Sequence, residues 1–166
     1  MVIYNAGGFM LTKLAQAKEE WGGTLSVLDK WLDSRQRLII LYCKLAGLPP
    51  YQQEKRGLPN QALITEFCQY LLDYTSKGHF EVYDQIIEAS KLHGEENLKI
   101  AQELYSMIAN TTDTALNFND NYAEDASDQN LLNFDADLSE LGEIMESRFK
   151  REDQLLELIH LHHTFA

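Results

Sequence analysis

The sequence predicts an all-α fold, an antiparallel helical bundle of four long helices plus shorter helices, in a single domain. Apolar residues recur at three- and four-residue spacing over long stretches, the period of a helix with one buried face. Only three prolines and nine glycines interrupt 166 residues, which favours long helices over a many-stranded sheet. A chain of this length suits one hydrophobic core. The domain is assigned to residues 10–166, and residues 1–9, which carry little pattern, are set apart as an N-terminal extension.

A short amphipathic segment over residues 11–21 precedes Gly22-Gly23, after which Thr24 has the side chain of an N-cap. The first long helix then follows Leu25, Leu28, Trp31, Leu32, Leu38, Ile39, Tyr42 and Leu45 until Gly47 and Pro49-Pro50 stop it. Residues 51–59 have turn composition, and Asn60 can cap the next helix, marked by Leu63, Ile64, Phe67, Cys68, Leu71, Leu72 and Thr75. Gly78 is expected to end that helix in the left-handed position, with residues 73–80 at a helix-to-helix corner. Phe80, Tyr83, Ile86 and Ile87 give a shorter helix ending near His93-Gly94. A helix of roughly seven turns is predicted over 95–122 from Leu98, Ala101, Tyr105, Ile108, Thr112, Ala115 and Leu116. The last helix runs through Leu131, Phe134, Leu138, Leu141, Met145, Phe149, Leu155, Leu156 and Ile159.

The formal net charge of −12 is concentrated in one place. Between Ile100 and Ser147 there are eleven acidic residues and no Lys or Arg, so the rest of the chain is nearly neutral. Direct nucleic-acid binding is excluded as a reading, because phosphate recognition needs clustered cations. A basic protein partner suits the segment, as does a solvated face that only maintains solubility. No apolar run approaches the ~20 residues of a membrane helix, and the N-terminus lacks a basic region leading into an apolar one, so the chain is expected in the cytoplasm.

Chemistry-bearing motifs are sparse. Cys43 and Cys68 belong to no C-x-x-C pair and read as buried apolar residues. Glu157 and His160 match the Glu-x-x-His spacing of di-iron bundles, but no second copy exists. The cluster His160, His162 and His163 reads as a polar tail. Phosphate-binding, nucleophile-elbow and zincin motifs are missing, and no catalytic residue, metal or cofactor is assigned.

Polar residues that break apolar stripes are more informative. Arg35 stands seven residues after Leu28 and seven before Tyr42, within the stripe itself. Arg148 and Glu152, spaced i, i+4, interrupt the last helix in the same way. Together they predict an internal polar layer in which Arg35 needs a carboxylate, with Glu152, Asp153 and Asp73 as candidates. Setting helix register and recognising a partner are both open as its role.

Three segments carry a resemblance: Leu28-Asp29-Lys30-Trp31-Leu32 with Arg35; Phe67-Cys68-Gln69 through Asp73-Tyr74, Ser76, Gly78-His79-Phe80 and Tyr83; and Glu146-Ser147-Arg148-Phe149 with Glu152-Asp153. In this order they resemble the regulator of sigma D family, which contains anti-sigma factors. The resemblance implies a helical bundle that binds domain 4 of the primary sigma factor and blocks its association with core RNA polymerase and −35 promoter DNA. It makes Asp73, Ser76 and Phe80 the expected sigma contacts, and Trp31, Arg35, Arg148 and Glu152 builders of the bundle. A signalling adaptor using the same acidic surface for a metabolic or stress-response protein is the competing reading, and a second regulatory partner is left open. A metal-dependent bundle enzyme is a third.

Overall fold

Caps and glycines set several of the helix ends. In the computed structural model, which describes residues 6–21, 26–52 and 59–163, α1 spans Ala6–Trp21, α2 Ser26–Ala46, α3 Gln61–Lys77, α4 Tyr83–Lys91, α5 Glu95–Tyr122 and α6 Asp128–His163. The expected cap at Thr24 and most of the loop before Pro59 lie outside the described residues. At the end of α2 the Leu48 N–H donates to the Cys43 carbonyl at 3.0 Å while Gly47 adopts φ 64°. This is the left-handed helix stop that glycine permits, and it buries Leu48. Asn60 caps α3, its side-chain oxygen accepting from the Leu63 N–H at 2.8 Å. Gly94, at φ 107°, separates α4 from α5.

The helix α1 begins at Ala6, and Met10 is its first residue shown to be buried. One expectation is revised. Gly78 does not terminate α3 in a left-handed conformation. Its φ and ψ are −53° and −50°, and the chain continues through a π-helical turn, Gly78–Val82, straight into α4. The predicted corner is therefore a widened turn in one long helix. The glycine is required there by proximity: a Cβ would lie 3.0 Å from the Tyr83 hydroxyl and 3.3 Å from Trp31 Nε1.

Burial follows the helical period. On α5 the inward residues are Ala101, Leu104, Ile108, Thr111, Ala115, Phe118 and Tyr122, whereas Leu116, expected in the stripe, is exposed. The helices α5 and α6 pack most extensively, running antiparallel, as shown by ring contacts of Phe134 with Phe118 and Tyr122 near one end and an Arg148–Thr111 bond farther along. The helix α3 lies against α2 and α5, and α1 covers α2 and α6. Cys43 and Cys68 are buried free thiols, and burial pushes Cys68 up to about 12.

One close approach fixes α2 against α6. The Tyr42 phenol lies directly on Gly142, where a Cβ would sit 2.1 Å from its oxygen, and it donates to the Leu138 carbonyl at 3.1 Å. Gly142 thus supplies the hole that Tyr42 fills. Gly142→Ala should cost about 1–3 kcal/mol by overpacking, read as a lower midpoint in chemical denaturation with the slope unchanged.

Candidate partner-binding face and the buried charge network behind it

The helix α3 presents two kinds of residue on opposite sides. Asp73 and Ser76 are exposed, while Tyr74 and Thr75 between them are buried. Phe80 falls in the π turn, but its side chain lies outside the described residues, as do those of His79, His160, His162 and His163. Asp73 and Ser76 therefore share an accessible surface, next to exposed Lys77 and Glu81.

Behind that surface, four helices meet at one carboxylate. Glu152 of α6 is fully buried, as are Arg35 of α2 and Arg148 of α6 at 1% exposure each. Glu152 Oε2 accepts from Arg35 Nη2 at 3.1 Å and from the Tyr74 hydroxyl in a short contact. Its other oxygen accepts from Arg148 Nε at 3.0 Å and from the Tyr83 hydroxyl at 2.5 Å. Each tyrosine oxygen in turn accepts from an arginine, Tyr74 from Arg35 Nε at 3.0 Å and Tyr83 from Arg148 Nη2 at 3.1 Å. The carboxylate thus sits between two matching arginine–tyrosine pairs.

The remaining donors are also satisfied. Arg35 Nη1 donates to Asp153 at 2.6 Å, and Arg148 Nη1 donates to the hydroxyls of Thr111 and Thr112 on α5, each at 3.1 Å. Arg35 lies between the rings of Trp31 and Phe149, 4.9 and 5.0 Å from their centroids, where ring faces favour a cation. Trp31 stacks on Tyr74 and meets Tyr83 edge-on. Among the described residues, Trp31 Nε1 is the one buried side-chain polar atom with no hydrogen-bond partner. Asp73, a candidate partner for Arg35 by sequence, is exposed and contributes nothing to this cluster.

Charge states follow from the surroundings. Burial opposes the charge on Arg35, but Tyr74, Asp153 and Glu152 outweigh it and hold the guanidinium above the ordinary arginine value. Arg148 is raised similarly, with Glu152 the main opposing influence to burial. Burial pushes Asp153 up, against the pull of Arg35. Burial likewise raises the Tyr74 and Tyr83 phenols well above 10, with Glu152 adding to both, so each stays protonated and donating. The arrangement has charge and hydrogen-bond complementarity. Among the described residues no three His, Cys, Asp or Glu side chains converge as a metal site.

Sequence pattern does not mark Tyr74, Tyr83, Thr111 and Thr112 as members of the layer. The signal available for Tyr74 is its place on the α3 stripe, three residues after Leu71. Tyr83 has the same kind of signal, three residues before Ile86 on the α4 stripe, but its approach to Glu152 depends on the π turn.

Residues 10–160 match the family model described as "Regulator of RNA polymerase sigma(70) subunit, Rsd/AlgQ". The chain belongs to this family. A "Regulator of sigma D" from Yersinia enterocolitica is 33% identical over 149 residues, covering 89% of each chain. Another from Salmonella newport is 36% identical over 151 residues, covering 90% of this chain and 91% of its own. The family match takes in the whole charge network together with Asp73, Ser76 and Phe80. Residues 1–9 and 161–166, including His162 and His163, fall outside it.

Two outcomes are expected of the network. Glu152→Gln should destabilise the protein by about 3–5 kcal/mol, because it leaves an excess of buried positive charge, and denaturant titration reads this directly. Raising the pH above 10 should also destabilise it. The unfolded chain releases phenolic protons near 10 that folded Tyr74 and Tyr83 retain, so stability present below that pH is lost as it rises. Tyrosinate absorbance should therefore show part of the eight tyrosines ionising only with unfolding.

Proposed function

We propose that the chain is an anti-sigma protein that binds domain 4 of the primary sigma factor and blocks its association with core RNA polymerase and −35 promoter DNA. It acts by binding alone, with no catalysis and no cofactor, in the cytoplasm. The family match over residues 10–160 is the observation that carries the reading. Sequestering the housekeeping sigma factor leaves core polymerase available to alternative ones.

The surface chemistry fits such a partner. Sigma domain 4 is a basic helix-turn-helix module, and a negatively charged protein can draw it in and compete with DNA for the same cations. Of the eleven acids between Ile100 and Ser147, Glu103, Asp113, Asp120, Glu124, Asp125, Asp128, Asp135, Glu140 and Glu143 are exposed. On α3, exposed Asp73 would accept charge-assisted hydrogen bonds from Arg or Lys, and exposed Ser76 is small enough to allow close approach. Phe80 is the apolar anchor of the set, a residue type that contributes strongly at interface centres.

Calorimetric titration with the isolated domain 4 of its own primary sigma factor tests this, at low and at moderate salt. Saturable binding that weakens with salt is expected, with Asp73→Ala and Phe80→Ala each lowering affinity at least tenfold. Binding indifferent to both substitutions would move the site away from α3. No binding at either salt concentration would overturn the function and favour an adaptor for a different regulatory protein.

A further inference from the structure

The exposed face of α3 and the buried network are joined through a turn of unusual geometry. At the end of the Gly78–Val82 turn the Tyr83 N–H donates to the Gly78 carbonyl, five residues back instead of four. Turns of this kind are rare, occur mostly singly within α-helices and are frequent at functional sites. Something outside the helix must favour this one.

Tyr74 and Tyr83 show what does. Nine residues apart, they would stand about two and a half turns apart on an uninterrupted α-helix and point to opposite sides. The wide turn takes up about 100° of that half-turn, and the two phenols donate to the two oxygens of the single Glu152 carboxylate. Tyr83 is the tie at the far end of the turn, holding Glu152 at 2.5 Å and accepting from Arg148 at 3.1 Å. Gly78 leaves the space for it, since a Cβ there would meet the Tyr83 hydroxyl at 3.0 Å. The unpartnered Trp31 N–H lies beside the same glycine, 3.3 Å from where that Cβ would stand.

We propose that Tyr83, tied to Glu152 and Arg148 of α6, is a positioning residue that latches the Gly78–Val82 turn and thereby sets the partner-binding face formed with Asp73 and Ser76. The inference rests on the anti-sigma reading for the identity of the partner. Slipping the turn by one residue into α-helical geometry would rotate α4 by about 100° relative to Asp73 and Ser76. A surface spanning both sides of the turn would then no longer match one partner. The latch makes partner affinity depend on a hydroxyl group that the partner itself does not touch.

Amide hydrogen exchange on the full chain, paired with titration against sigma domain 4, tests this with Tyr83→Phe and Tyr122→Phe. Phenylalanine at 83 keeps the ring against Trp31 and Tyr105 and removes only the hydroxyl. Tyr122 is the control: its phenol donates to Asp137 at 2.6 Å, a bond of the same type away from the turn. Tyr83→Phe should speed exchange at residues 78–83 at least tenfold relative to residues 111–118 of the same molecule, and weaken domain 4 binding by a comparable factor. Tyr122→Phe should leave both the turn and the affinity as they were. Exchange that rises equally in both segments would reduce Tyr83 to general stability and overturn the latch. Faster exchange at the turn with unchanged affinity would overturn its role in positioning. Should Tyr83→Phe not fold, Gly78→Ala, which presses a methyl group on the same hydroxyl, is read by the same criteria. Wild-type protein that fails to bind domain 4 overturns the proposed function instead, and exchange in the free protein still decides whether the hydroxyl holds the turn.

Discussion

A carboxylate buried between two guanidinium groups constrains the rest of this bundle. Removing Glu152, Arg35 and Arg148 from water costs several kcal/mol per ion, and that cost is offset only when each charge meets its partners at good geometry. The geometry is supplied from four directions: Arg35 from α2, Tyr74 from α3, Tyr83 from the start of α4 and the threonine pair from α5. A helix that slid by one turn would leave a buried charge facing apolar side chains. The network therefore favours one register among the many that apolar packing would tolerate, which is the best-attested use of buried polar groups.

The aromatic residues around the network extend this effect. Trp31 and Phe149 enclose Arg35, and Tyr74 touches both rings. Their faces attract the cation while excluding water, so the ion pairs act in a dry environment where they are stronger than at the surface. Elsewhere the bundle is held by ordinary apolar packing, including the Phe67, Phe118, Tyr122 and Phe134 rings and the fit of Tyr42 onto Gly142. The two regions divide the labour: apolar packing supplies most of the cohesion, and the charge network supplies alignment.

Alignment bears on function because the network lies behind the proposed binding face. Tyr74 and Thr75 point inward where Asp73 and Ser76 point outward, so one segment of α3 serves both. A partner surface built on a helix inherits the rigidity of whatever packs beneath it. The acidic stretch of α5 and α6 plays a different part. Its carboxylates mostly face water, where they add to the long-range field around the protein.

Helical periodicity together with breaker and cap residues determined the class of fold, the span of α5, the stop at Gly47 and the cap at Asn60, because each rests on contacts within a few residues along the chain. It also marked Arg35, Arg148 and Glu152 as charges on inward faces. Tertiary structure decided which of these charges meet, that Asp73 stays outside while Asp153 pairs with Arg35, and that Gly78 is needed for closeness to Tyr83 and Trp31 instead of for a left-handed turn. It also decided that Tyr74 and Tyr83, which α-helical spacing puts on opposite sides, reach the same carboxylate. A change in the number of residues per turn is a local distortion whose stabilising bonds come from α6, some seventy residues away in the chain, and no local pattern records them.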